Sequence, residues 1–219
     1  MPSGESFREL TLGAFVERLA SGDPVPGGGS ASAVAASLGA ALVAMVATLS
    51  QDRPKYAAHA ALHGRAIETG QRLTARFLEL ADRDAEAYAA FSASLKLPKD
   101  SGDERDRRRA AMSDAARGAA EITLAMVEAC LELLATAETL VGRSNANASS
   151  DLNVAALLGD AAARGAAENV LVNLPSVDDD AYRGEMTARV MSHLDDIALL
   201  AASVNEGVKS GESRDPLPE

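Results

Sequence analysis

Apolar positions recur along most of this chain with a helical period. Leu12, Phe15, Val16 and Leu19 stand at i, i+3, i+4 and i+7, which predicts a short amphipathic helix over 11–20. The break Ser21-Gly22-Asp23-Pro24 ends it. From 30 to 50 the run is apolar on nearly every side, the pattern of a helix in the middle of a bundle. Pro54 suits the first position of the next helix, predicted over 54–95 and stopped by Pro98. Further helices are predicted over 103–141, over 151–174 (closed by Pro175) and over 178–208, where three opening aspartates suit the positive end of the helix dipole. Polar loops at 97–103 and 142–151 separate them. No stretch alternates like a strand, and neither a tandem repeat nor an interdomain linker is visible. The expectation is one all-α domain over 1–219, a long antiparallel helix bundle with a frayed tail at 210–219.

Two features refine that picture. Helices of this length outrun a single compact core, and a dimer that buries the overhang is the simplest remedy. Gly39, Gly64, Gly118, Gly159 and Gly165 fall inside predicted helices, where each costs about 1 kcal/mol against Ala. Close helix contacts are expected to offset them.

Composition agrees with helices. Hydrophobic residues make up 47% of the 219, but aromatics only 3% and Trp is absent, so the core must be Ala, Leu, Val and Met. A net charge of −11 argues against a nucleic-acid surface, while leaving room for a small anion held by a few local Arg or Lys. Cys130 is the one cysteine, which excludes an intrachain disulfide and a Cys-based zinc site; its apolar setting in 126–134 reads as an inert buried thiol. The first ten residues hold no apolar signal core. The run 31–49 comes nearest to a membrane span, yet its serines, Thr48 and many alanines suit a buried helix better. A soluble, cytoplasmic protein without membrane or nucleic-acid partners is expected.

Candidate chemistry centres on 24–41, PVPGGGSASAVAASLGAA. Gly27, Gly28 and Gly29 let the backbone turn, and a helix follows with Ser30 or Ser32 as its N-cap. Unpaired N–H groups and the helix dipole there suit an anionic group of a ligand; a tight turn for close packing is the alternative. Asp84 interrupts the apolar seam Phe77, Ala81, Asp84, Tyr88, Phe91, Leu95. A carboxylate facing the interior is either a general acid/base with raised pKa or a buried partner of a helix cap or an arginine.

Asp151 opens a helix on the side of Val154, after Asn145, Asn147, Ser149 and Ser150. Capping needs one such residue, whereas five are present, enough to bond a heteroaromatic ring edge. Asn169 and Asn173 share the Asp151 stripe but stand roughly 27 and 33 Å along the helix. They are expected to serve backbone groups elsewhere or a second subunit. His59 and His63, at i and i+4, have metal-clamp spacing but no third ligand nearby, and read as a solvated helix face. Arg105, Arg107, Arg108 and Arg109 form either another solvated face or, with Lys99, a receiver for a carboxylate tail.

The blocks 15–46, DAEAYAAF (84–91), LPK (97–99) and 144–174 together resemble the cyclodeaminase/cyclohydrolase family acting on folates. That family includes the cyclodeaminase domain of formiminotransferase-cyclodeaminase and stand-alone methenyltetrahydrofolate cyclohydrolases. The resemblance implies an all-α homodimer with a folate pocket near the subunit interface and no metal or organic cofactor. Two departures leave the class intact and bear on substrate: Thr123 stands where the family often has proline, and Ser144 where it often has glycine. On this reading Asp151 or Asp84 is the acid/base, Asn145, Asn147 and Ser150 orient substrate, and Gly27, Gly28, Gly29 and Ser30 with Lys99 hold its anionic or carbonyl parts. Cyclohydrolase stands ahead of cyclodeaminase, since no formiminotransferase domain accompanies the sequence. A non-catalytic folate-binding or scaffolding dimer is the rival from another class, and a His59/His63 metallohydrolase a third idea.

Overall fold

The computed structural model describes residues 6–217. The described residues form an all-α fold of six helices: α1 Leu12–Leu19, α2 Gly28–Thr48, α3 Ala60–Ser94, α4 Gly102–Leu140, α5 Ser149–Asn173 and α6 Asp180–Ser210. Short 3-10 turns at Pro54–His59, Ala146–Ala148 and Leu174–Ser176 join several of them.

Cross-helix pairs show how the helices lie. Between α2 and α3, Ser37 donates to the Thr74 carbonyl and Ser30 to the Ala81 carbonyl, so numbers rise on one helix as they fall on the other. Between α2 and α5, Gly39 packs on the Ala155 carbonyl and Gly165 on Ser32, again in opposite order. Asn205 of α6 bonds Asn153 of α5, and Arg189 of α6 pairs with Glu128 of α4 at 2.6 Å. The core between them is apolar and mostly aliphatic: Val43 and Val46 of α2, Leu73, Phe77 and Leu80 of α3, Leu133 and Leu134 of α4, Ile197 of α6. Fully burying each such side chain contributes about 1.5–3 kcal/mol. Gly70 permits the tight α2–α3 contact, because a methyl group there would stand 2.8 Å from the Ala40 carbonyl oxygen.

Several boundaries differ from expectation. The helix expected over 54–95 starts at Ala60; the stretch before it is a 3-10 turn opened by Pro54. In α1 only Phe15 is buried, edge-on to Phe7, while Leu12 and Val16 remain exposed. α2 is long and apolar enough to cross a membrane by length and composition, and its apolar faces meet α3 and α5. Its outer face is not covered in one chain: Leu38, Met45 and Leu49 are exposed, as are Val154 and Leu157 of α5. Gly39, Gly159 and Gly165 sit against close neighbours as expected, but Gly64 and Gly118 face open space, and nothing in the structure explains them.

The tail is the clearest correction at the C-terminal end. Residues 211–217 fold back on the α4–α5 loop instead of fraying: the Arg214 N–H donates to the Gly142 carbonyl, its guanidinium pairs with Glu138 at 2.5 Å, and Arg143 donates to the Asp215 carbonyl. Residues 218–219 of the expected tail lie outside the described residues.

Candidate active site

α2 begins inside the glycine run, not after it. Gly27 is the N-cap and offers no side-chain bond, and Gly28, Gly29 and Ser30 form the first turn. Neither serine caps the helix: Ser32 donates to the Gly28 carbonyl, and Ser30 turns toward α3. The Ser30 hydroxyl and N–H therefore meet what α3 presents.

What α3 presents is Asp84. Its Oδ2 lies 3.1 Å from Ser30 Oγ, and Ser30 is wholly buried. Its carboxyl rests on the Cα of Gly29, where a methyl group would stand 2.5 Å from Oδ1. Any side chain at 29 would push the carboxyl away, so glycine here is a requirement of Asp84. Burial raises the Asp84 pKa above the ordinary carboxylate value, and the Ser30 hydroxyl and N–H oppose that rise by favouring the ionised form. No arginine or lysine pairs with this carboxyl among the described residues. Of the two alternatives for Asp84, arginine pairing is set aside, and contact with a helix start coexists with an acid of raised pKa.

The seam around Asp84 is not buried along its whole length. Phe77 and Ala81 are, but Tyr88 and Leu95 are 45% and 44% exposed. The reason is that α3 and α4 continue past the start of α2, and their hairpin has no helix from α2 or α5 above it. Lys99 lies in that hairpin, beyond roughly 16 Å of α3 counted from Asp84 to Leu95. Arg105 and Arg108 tie the turn together through the carbonyls of Lys99, Asp100 and Leu95, and Arg109 meets Asp106 and Asp178.

The other candidate group lies at the far end of α2, roughly 30 Å from Gly28. There the Asn145 N–H donates to Ser50 Oγ, its Nδ2 to the Leu49 carbonyl, and its Oδ1 accepts the Asn147 N–H. Tyr56 accepts the Ala146 N–H. A cavity of about 170 Å³ opens beside Asn145, Ser149 and Lys55, with tail residues Glu212 and Ser213 on its rim. Asn147 and Ser150 are exposed, and the Asp151 carboxylate makes no hydrogen bond or ion pair with the described residues. Asp151 does not face the core through Val154, which is itself exposed. Within one chain, then, 27–30 with Asp84 and 145–151 do not form a single site.

The structure instead brings Asn169 to the Asp84 end, since a methyl group on Gly28 would stand 3.8 Å from its Nδ2. Asn169 and Asn173 donate to carbonyls one turn earlier on α5, as expected of residues serving backbone groups. Placing Asn169 beside 27–30 required knowing that α5 runs against α2; the polar stripe on α5 was the available signal. His59 and His63 are not a solvated face. His63 is buried and its Nε2 lies 2.9 Å from the Arg143 carbonyl, while burial and the His63 ring lower the His59 pKa. Cys130 is buried as expected, its thiol pushed up to about 12 by desolvation.

The described residues form an all-α fold with a half-buried acid at a glycine-opened helix. This fold matches that of a formiminotetrahydrofolate cyclodeaminase from Thermotoga maritima, with TM-score 0.85, 24% identity, 93% of this chain covered and 98% of that one. The chain belongs to the formiminotransferase-cyclodeaminase family, whose profile matches residues 11–192. It is 34% identical over 200 residues to the methenyltetrahydrofolate cyclohydrolase of Methylorubrum extorquens, covering 91% of this chain and 96% of that protein. It is 33% identical over 209 residues to the formimidoyltransferase-cyclodeaminase of Sus scrofa, covering 95% of this chain but spanning only 39% of that longer protein.

Proposed function

We propose that this chain is a folate one-carbon enzyme, a methenyltetrahydrofolate cyclohydrolase converting 5,10-methenyltetrahydrofolate and water to 10-formyltetrahydrofolate. The observation that carries the reading is the Asp84 carboxyl, held beside the first turn of α2 with its pKa raised. In this reaction water attacks the cationic methenyl carbon and the ring opens. A carboxylate at that carbon stabilises the cation and takes the proton of the attacking water. The N–H groups of 27–30 and the amide of Asn169 hold polar edges of the folate. Similarity over nearly the full length of a cyclohydrolase supports this choice.

The second reading is 5-formiminotetrahydrofolate cyclodeaminase, favoured by the similarity to the Sus scrofa protein. There one folate nitrogen attacks the formimino carbon, and the same acid protonates departing ammonia. A paired assay on chelator-treated protein separates the two. Loss of methenyltetrahydrofolate alone supports cyclohydrolase, and its formation with ammonia release from the formimino compound supports cyclodeaminase. Silence in both from folded protein favours a non-catalytic folate-binding dimer. Full activity after chelation is expected, because the reading assigns no metal or organic cofactor; cytoplasmic residence belongs to the same reading.

The reading also includes a single domain over 1–219, an antiparallel long-helix bundle and a homodimer. The uncharged outer face of Leu38, Met45, Val154 and Leu157 supports a second copy as its occupant. Leu157→Glu is expected to give monomers in sedimentation; a dimer unchanged by it would place the interface elsewhere.

A further inference from the structure

Ser30 stands between two acceptors. Its Oγ is 3.1 Å from Asp84 Oδ2 and 3.3 Å from the Ala81 carbonyl oxygen, and it is out of contact with solvent. A hydroxyl has one proton to give and lone pairs to receive, so it cannot donate to both at once. Two arrangements satisfy the group. With Asp84 ionised, the Ser30 O–H donates to the carboxylate. With Asp84 protonated, the acid O–H donates to Ser30 Oγ and the Ser30 O–H turns to the Ala81 carbonyl. Nothing but a hydroxyl hydrogen moves between the two. The bare Cα of Gly29 makes the room in which the carboxyl sits, since a methyl group there would stand 2.5 Å from Oδ1 and 2.6 Å from Oδ2.

We infer that Ser30 is a positioning residue that keeps the Asp84 carboxyl in one place through both protonation states, so that it cycles between base and acid without reorganising. The inference rests on the acid/base reading of Asp84 and deepens it. Taking a proton from water and returning it to a leaving nitrogen needs both states in turn. A side chain that solvates only one of them would trap the carboxyl there. The charged and polar surroundings are sparse: α2 contributes the Ser30 N–H and hydroxyl, the Asn169 amide of α5 lies beyond Gly28 and is spent on the Gly165 carbonyl, and no charged group adds to the pull on Asp84.

The test is the titration of Asp84 by NMR of carboxyl-labelled aspartate, its resonance assigned by its absence in Asp84→Asn. Because the Ser30 hydroxyl favours the ionised form, Ser30→Ala is expected to move the midpoint upward, and Ser30→Thr to restore it. The acidic limb of kcat/KM should move with it. Should Ser30→Ala melt too low for titration, Ser30→Cys keeps the volume, weakens the hydrogen bond and should shift the midpoint the same way. An unmoved midpoint together with an unchanged carboxyl chemical shift and line width in folded Ser30→Ala or Ser30→Cys overturns the inference. A shifted midpoint together with full activity of Asp84→Asn leaves the hydroxyl's role standing and removes Asp84 from catalysis, so the two readings fail separately.

Discussion

The two ends of α2 are both dressed in short polar side chains, yet they are built to opposite purposes. At the C-terminal end each buried polar group of Asn145 is consumed by the fold. Ser50 accepts the Asn145 N–H while donating to the Val46 carbonyl, and Leu49 takes the Asn145 amide. At the N-terminal end a carboxyl is desolvated, denied a cation and held by one hydroxyl against a bare Cα. A satisfied network closes a helix; a carboxyl with a raised pKa and no ion pair is the group the proposed reading uses for proton transfer.

The largest effect that would sharpen this contrast is the loss of the acid. Asp84→Asn is expected to cut turnover about a hundredfold or more with circular dichroism and sedimentation unchanged, and Asp151→Asn to keep a larger share of activity. Equal losses would break the assignment of the acid/base role to Asp84 alone. Next comes Gly29→Ala. The new methyl displaces the carboxyl, so kcat/KM should fall about tenfold or more. The melting temperature should hold or rise, because Ala exceeds Gly in a helix by up to about 1 kcal/mol. A drop in melting temperature with full activity would make this glycine a packing residue.

Ser50→Ala at the opposite end should do the reverse. It strands the buried Asn145 N–H at a cost of about 1–3 kcal/mol in denaturant unfolding and leaves kcat close to that of the parent. The smallest effect is in pH. The raised pKa means that the folded state binds the Asp84 proton more tightly than the unfolded chain does. Its stabilising contribution is complete below the ordinary carboxylate pKa and is lost as pH rises through the folded value. The parent should therefore lose melting temperature relative to Asp84→Asn as pH rises from about 4 to 7; a constant difference would mean that burial does not penalise the charge.

Much of this was legible in the chain. Helical spacing located all six helices, and Asp84 stood out because a carboxylate broke an apolar seam. The glycine run announced a helix start, but composition could not say that the helix begins inside it. Ser30 and Ser32 look like caps in isolation, and only a neighbouring helix gives Ser30 a better partner in Asp84. Likewise His63, one residue of a polar-looking pair, is buried because the Arg143 carbonyl on another element meets it.

Helical content, the small-residue core and the identity of an odd acid follow from the sequence alone, since period and composition act over a few turns. The tertiary structure decided which distant stretches share an end. Running α3 and α5 against α2 joins Ser30 to Asp84 and Gly28 to Asn169, and sends Asn145 to the other end. Such pairings depend on the fit of whole helix faces far apart in the chain, and no local spacing records that fit.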